Sequence, residues 1–249
     1  MSHYLSVCQE WLSKYSEAAS DPDIPIVDAH HHVWDVAGWR YMFDDLLADV
    51  RSGHRIVSSV FVQCYSMYRK EGPKELRACG ETEFANGIAA MSASGMYGEA
   101  RLCEGIVGTA NLTTGEDVQK VLEVHLRAAG RRFRGIRQIT AWDGDEEIHA
   151  SRYGLPQGMM ADAAFRAGLA CLGRMGLSFD AYVFHTQLGE LTALARAVPE
   201  VAIIVNHVGG PIGIGRFAGH RNEVMSEWKA SMAQLAECPN VVVKLGGLG

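Results

Sequence analysis

Ten histidines lie along the chain, and four of them close short apolar runs. One run reads Ile26-Val27-Asp28-Ala29-His30-His31-His32. Alternate residues of a strand share a face, so His30 and His32 point one way and His31 the other. Residues two apart in a strand are separated by about 6.5–7 Å. Two imidazoles at that spacing can converge on one ion or one substrate group. A second run is Phe179-Asp180-Ala181-Tyr182-Val183-Phe184-His185, and a third is Val201-Ala202-Ile203-Ile204-Val205-Asn206-His207. Phe179, Ala181, Val183 and His185 are predicted to share a face, as are Val201, Ile203, Val205 and His207. In parallel α/β folds, ligands bind at the carboxyl ends of the strands, where these histidines fall. A lone strand-end histidine is more often a hydrogen-bonded packing residue. That reading is kept for His31, His54, His125, His149 and His220. For His30, His32, His185 and His207 as a set, chance is a poor account.

Such a set needs a scaffold that lines up strand ends. Seven short runs are predicted as strands: Ile24–His32, Ile56–Cys64, Gly105–Leu112, Phe133–Thr140, Leu177–His185, Val201–His207 and Val241–Leu245. Most are apolar with little alternation, as in strands covered on both faces. Helical stretches lie between them. Thr114 is expected to cap a helix over Gly115–Ala129, buried through Val118, Val121, Leu122 and Leu126. Asp162–Met175 and Asn222–Glu237 read similarly, whereas Met91–Leu102 reads as a loop with little helix. Before the first strand, Leu5, Cys8, Trp11, Leu12 and Tyr15 form one apolar stripe on a helix over Tyr4–Ala19. Pro22 and Pro25 end that pattern. The expected domains are therefore an N-terminal helix over 1–23 and one α/β unit over 24–249. A barrel and a doubly wound open sheet both suit this alternation.

Composition excludes other classes. The chain has 249 residues, 48% hydrophobic, so it is not a disordered polymer. Acids outnumber bases 29 to 23, which argues against a nucleic-acid partner. Arg131, Arg132 and Arg134 read as a solvated helix end. The six cysteines form no CxxC spacing, and buried free thiols are expected. The N-terminus lacks a secretory pattern, and the most apolar stretch, Val201–Val205, is far too short to span a membrane. A cytoplasmic protein is expected, with its oligomeric state open. Ser92, Ser94 and Gly95 do not form a nucleophile elbow. Cys64 reads as a buried thiol beside Gln63, which is expected to face the pocket. Gly209 through Arg216 lacks the GxGxxG spacing of a dinucleotide loop and reads as a loop over the site.

With Val27-Asp28-Ala29-His30-His31-His32-Val33-Trp34-Asp35, the sequence resembles the amidohydrolase superfamily, whose first barrel strand ends in an HxH pair. More narrowly, it is similar to the amidohydrolase-2 group of metal-dependent hydrolases, which includes sugar and pyrone-dicarboxylate lactonases. Phe133-Arg134-Gly135-Ile136-Arg137 is similar to that group's fourth strand. Phe179–Leu188, Asn206–Pro211 and Asn240–Leu248 are similar to its fifth, sixth and seventh.

The resemblance implies a (β/α)8 TIM-barrel fold and hydrolysis of a small lactone or related carboxylic acid derivative. It implies one divalent metal, zinc, on His30, His32 and His185, or a substrate at those residues in metal-free members. His207 corresponds to a residue that binds metal in some members and substrate in others. Arg137 corresponds to an arginine that can hold a substrate carboxylate. Two departures stand out. Phe133–Thr140 offers neither lysine nor glutamate as a bridge between two metals, which favours one metal or none. No residue matches the aspartate of strand eight, the family's general base. The expectation is a barrel lacking its eighth βα unit, holding the substrate and metal half of a site but catalytically weak. A decarboxylase of the same superfamily and a non-catalytic binding chain are the rival readings.

Overall fold

The computed structural model describes residues 8–15, 17–36, 39–148 and 155–247. Each predicted run overlaps a strand, though the third strand begins at Arg101, four residues before the predicted Gly105. They are β1 (Pro25–His31), β4 (Arg55–Val62), β5 (Arg101–Gly108), β6 (Phe133–Ile139), β7 (Ser178–Tyr182), β8 (Ile203–Val205) and β9 (Val241–Val243). All neighbours pair in parallel, in the order β1-β4-β5-β6-β7-β8-β9. The order follows the sequence without reversal, so the switch point of a doubly wound sheet does not occur. Asp28, Val60, Val107, Arg134, Ser178, Ile204 and Val242, one from each strand, line a single cavity. The sheet therefore curls around a lumen as an incomplete TIM barrel. Its two edges expose Val27 and Val242.

Helices cover the outer face. They are α2 (Phe43–Val50), α3 (Cys79–Ala93), α4 (Gln119–Ala129), α5 (Ala163–Arg174), α6 (Leu188–Ala197) and α7 (Arg221–Leu235). Phe61, Ile106, Phe179, Ala181, Ile203 and Val205 face outward and bury against Leu122, Leu169 and Leu191. This outer layer is the main core, and the lumen is a separate environment.

Several local expectations are corrected. Thr114 is not the cap of the fourth helix. Asn111 accepts from Thr113 N at 3.1 Å, and a 3-10 turn runs over Leu112–Val118. Gly115 has φ +64, which breaks a continuous helix, so α4 starts at Gln119. Asp162 does cap α5, accepting from Phe165 N at 2.8 Å. The N-terminal helix, α1, covers Gln9–Leu12, and Cys8, Trp11 and Tyr15 of the expected stripe are exposed. An amphipathic stripe is buried only when another element covers it. Tyr4 and Leu5 lie outside the described residues. A two-stranded hairpin, β2 (Trp34–Val36) with β3 (Trp39–Tyr41), follows β1 and was not foreseen. All six cysteines are free, and Cys8 is exposed. Among the described residues, no helix is long and apolar enough to cross a membrane.

Candidate active site

Strand β1 sends its histidines to two environments. His31 is buried on the outer side, where its Nε2 lies 2.9 Å from Ser59 Oγ and its ring packs edge-on to Phe61. His30 and His32 line the lumen with ring centroids 5.0 Å apart. The ring of His32 also stacks on Trp34, 5.4 Å away.

The alternation used for the other two histidines points the wrong way. Phe179, Ala181 and Val183 face the helices, as do Ile203 and Val205. Residues in phase with them should therefore leave the lumen. His207 returns to it because the backbone reverses. His207, Val208, Gly209 and Gly210 have φ values of 50, 49, 76 and 55°. Left-handed backbone costs a non-glycine residue roughly 1–2 kcal/mol, and such strain concentrates at functional sites. The turn sets the His207 ring 4.8 Å from His30 and 5.4 Å from Tyr182. No such reversal follows β7. His185 is buried against Phe217 at 4.9 Å, and neither ring nitrogen has a hydrogen-bond partner among the described residues. The structure thus brings together His30, His32 and His207, and places His185 elsewhere.

Arg137 joins the three histidines from β6. Its Nη1 donates to His30 Nε2 at 3.2 Å, and its Nη2 donates to the Gln63 carbonyl. His30 must then carry its own proton on Nδ1. His32 Nδ1 lies 2.7 Å from the Val62 carbonyl and donates to it, which leaves Nε2 as the free lone pair. Burial is the largest cause that keeps these rings neutral, and Arg137 adds to it. His32 is lowered to about 3 by burial and then by Arg137. His30 and His207 are lowered for the same two reasons, in the same order.

One of the three expected metal ligands, His185, is absent from the cluster. A guanidinium occupies the Nε2 lone pair of His30. Among the described residues, no three His, Cys, Asp or Glu groups converge on a common point. The donor set as arranged does not fit a metal centre.

The cavity around these residues has a volume of about 660 Å³. It also contains groups that strand reading passed over. Lys244 Nζ lies 2.6 Å from Asp180 Oδ2, and Asn206 Nδ2 donates to the same oxygen at 3.0 Å. Asp180 is fully buried. A charged residue in phase with Ile204 and Val242, rather than with the packing residues, was the available signal. A second cavity of about 580 Å³ opens beside His207, lined by Tyr182, Phe184 and the loop from Val208 to Ile214. The glycine-rich loop does border the site, as expected.

Cys64 is half-buried beside Glu81. Burial pushes its thiol up, and the nearby Glu81 pushes it further. Glu81 was missed altogether. It is 1% exposed and accepts from the backbone N–H groups of Cys64 and Ser66 at 3.0 and 2.7 Å. Gln63 is buried, with its amide atoms unpartnered among the described residues. His125 is buried between Thr82 and the Thr109 carbonyl. His54 and His220 are exposed, and His149 lies outside the described residues.

Known proteins resemble this chain at three levels. An L-fucono-1,5-lactonase of Burkholderia multivorans is 27% identical over 150 residues, which is 60% of this chain and 45% of the lactonase. An uncharacterized protein of Sinorhizobium fredii, y4mH, is 30% identical over 250 residues, 91% of this chain and 74% of that protein. A solved amidohydrolase of Burkholderia multivorans with bound zinc superposes with a TM-score of 0.62 at 23% identity. That alignment covers 89% of this chain and 69% of the other, and at that identity it speaks for the fold. The family profile named Amidohydrolase matches residues 27–249, from the first barrel strand onward. On that ground this chain belongs to the amidohydrolase family.

Proposed function

We propose that the chain is a hydrolase that opens small lactones or related carboxylic acid derivatives. The observation that carries this reading is the meeting of three neutral imidazoles with Lys244 in one cavity at the carboxyl ends of parallel strands, with Arg137 buried against His30. The lactonase among the relatives supports the substrate class.

The chemistry follows from the residues. Water attacks the carbonyl carbon, and charge develops on the carbonyl oxygen. A fixed cation in a cavity shielded from water stabilises that charge strongly. Burial keeps His207 neutral, so it can accept the proton of the attacking water. Ring opening of a lactone needs one proton on the departing ring oxygen. The protonated His207 can return it, so one imidazole serves both halves of the reaction. Arg137 acts on His30, whose tautomer and orientation it fixes. No step runs through a metal, because the expected ligands do not converge.

The test is a panel of lactones followed by pH-stat, with carbon dioxide release measured in parallel. Lactone opening that falls at least a hundredfold in His207→Gln, and persists after chelator dialysis, is the expected result. Carbon dioxide release without ring opening would establish the decarboxylase instead. Activity lost on chelation and restored by zinc would overturn the metal-independent arrangement.

A further inference from the structure

We propose that Glu81 is a positioning residue. It fixes the turn after β4, and through the Gln63 carbonyl and Arg137 it sets the tautomer and orientation of His30. The inference rests on the hydrolase reading above and adds to that site a residue from the helical layer. Glu81 belongs to α3 and does not line the cavity of His30, His32 and His207.

What Glu81 holds is the turn. Its Oε1 accepts from Cys64 N at 3.0 Å and from Ser66 N at 2.7 Å, and the Cys64 thiol lies 3.5 Å from the same oxygen. The two N–H groups flank Tyr65, which has φ +63, and Met67 follows with φ +54. Left-handed backbone at such residues persists only where the surroundings over-determine it. Helix α3 supplies that constraint twice. Glu81 fastens the two N–H groups, and Gly80 lets the turn approach closely. A Cβ at Gly80 would lie 2.6 Å from Met67 O and 2.7 Å from Arg69 N.

The turn reaches the histidines through one peptide unit. The Gln63 carbonyl and the Cys64 N–H are its two ends, and a peptide is planar. Glu81 accepts from the N–H end, and Arg137 Nη2 donates to the carbonyl end. The same plane is therefore gripped from both sides, and a carboxylate on the N–H polarises the carbonyl towards a stronger acceptor. Arg137 Nη1 then donates to His30 Nε2 at 3.2 Å, and the His30 ring lies 4.8 Å from that of His207. The hydrogen bond made by one imidazole nitrogen decides which nitrogen carries the proton. Arg137 thus keeps the proton of His30 on Nδ1, from an anchor that Glu81 fixes. Fold stability by itself is a poor account of this carboxylate. Its Oε2 is buried with no hydrogen-bond partner among the described residues, and an unsatisfied buried oxygen is costly. A purely structural pin would lower Tm on removal and leave His30 as it is, and the experiment separates the two.

Imidazole nitrogen NMR of the full chain reads the tautomer, with the His30 signals identified by their loss in His30→Gln. The wild type is expected to hold His30 as the Nδ1–H tautomer alone. In Glu81→Ala the turn loses its acceptor, and His30 is expected to populate both tautomers. In the same variant kcat for lactone opening is expected to fall roughly ten- to a hundredfold, the effect of a slightly displaced group at the site, with KM little changed. Glu81→Gln keeps an oxygen acceptor for both N–H groups and should recover most of the tautomer and of kcat. If Glu81→Ala fails to fold, Glu81→Asp takes its place. It keeps the charge and withdraws the carboxylate by one methylene, and mixed tautomers are expected there too. A wild-type tautomer in the folded alanine or aspartate variant overturns the proposal, and so does an unchanged kcat. If the wild type opens no lactone, the hydrolase reading fails, and the His30 tautomer alone then decides the role of Glu81.

Discussion

Replacing Gly210 by alanine tests how His207 reaches the lumen. Gly210 has φ +55, and a Cβ there would lie 2.4 Å from the Val183 carbonyl oxygen and 3.2 Å from Phe184 Cα. Both neighbours are backbone at the end of β7, so neither can swing aside as a flexible side chain would. Gly210 also links two strand ends. Its N–H donates to His207 O at 2.9 Å, and its carbonyl accepts from His185 N at 3.0 Å. Left-handed backbone costs alanine roughly 1–2 kcal/mol, and overpacking adds about 1–3 kcal/mol. A total of about 2–5 kcal/mol should lower Tm by roughly 4–20 °C in a domain of this size. The same shift displaces the imidazole of His207. Misplacement of a catalytic group by about 1 Å can cost a hundredfold in rate, so kcat should fall by roughly ten- to a hundredfold. Gly213→Ala is the internal control. Nothing lies within 4 Å of its would-be Cβ, and its φ is not positive. Its stability should stay within about 0.5 kcal/mol of wild type. Calorimetric melting and steady-state turnover, measured well below both melting points, decide the matter. If Gly210→Ala melts and turns over like Gly213→Ala, the proposed route of His207 into the lumen is wrong.

Glu81 should make stability depend on pH. Burial raises its carboxyl to about 7, against the opposing pull of the Ser66 and Cys64 N–H groups. The folded state thus binds the proton more tightly than the unfolded chain. The stability this contributes is fully present below about pH 4.5 and is lost as pH rises through 7, roughly 3 kcal/mol in all. Glu81→Gln should flatten that dependence in urea melts at pH 5 and 8, and a slope equal to wild type would count against it. Arg137→Lys keeps the charge but cannot span both His30 Nε2 and the Gln63 carbonyl. We expect kcat/KM to fall at least about tenfold with an unchanged circular dichroism spectrum, because a fork and a point charge are not interchangeable.

Much of the fold was legible because parallel strands covered on both faces are apolar runs, and each of the seven runs overlapped a strand. Asp162 announced its helix because a side-chain acceptor next to free N–H groups is a local arrangement. The start of α4 was misplaced because Asn111 and the positive φ of Gly115 outweighed the polar residue nearest the apolar pattern. The pair His30 and His32 was readable because two-residue alternation holds within one strand. It failed for His185 and His207, since alternation says which residues share a face and does not say which face is the lumen. In this sheet the apolar phase packs outward on the helices, and Asp180 and Lys244 occupy the inward phase. A buried ion pair between β7 and the end of β9 has no local signature, because its partners are separated by 64 residues in the chain.

The sequence by itself therefore determined the seven strands of the parallel sheet and the presence of strand-end histidines, which follow from residue type and short-range spacing. Only the tertiary structure decided which histidines meet. His207 enters the lumen through four successive left-handed residues and His185 does not. It also decided that Arg137 is engaged by His30 and the Gln63 carbonyl, and that Lys244 pairs with Asp180. These outcomes depend on long-range contacts, and such contacts are fixed only when the sheet has curled and its two faces have become different environments.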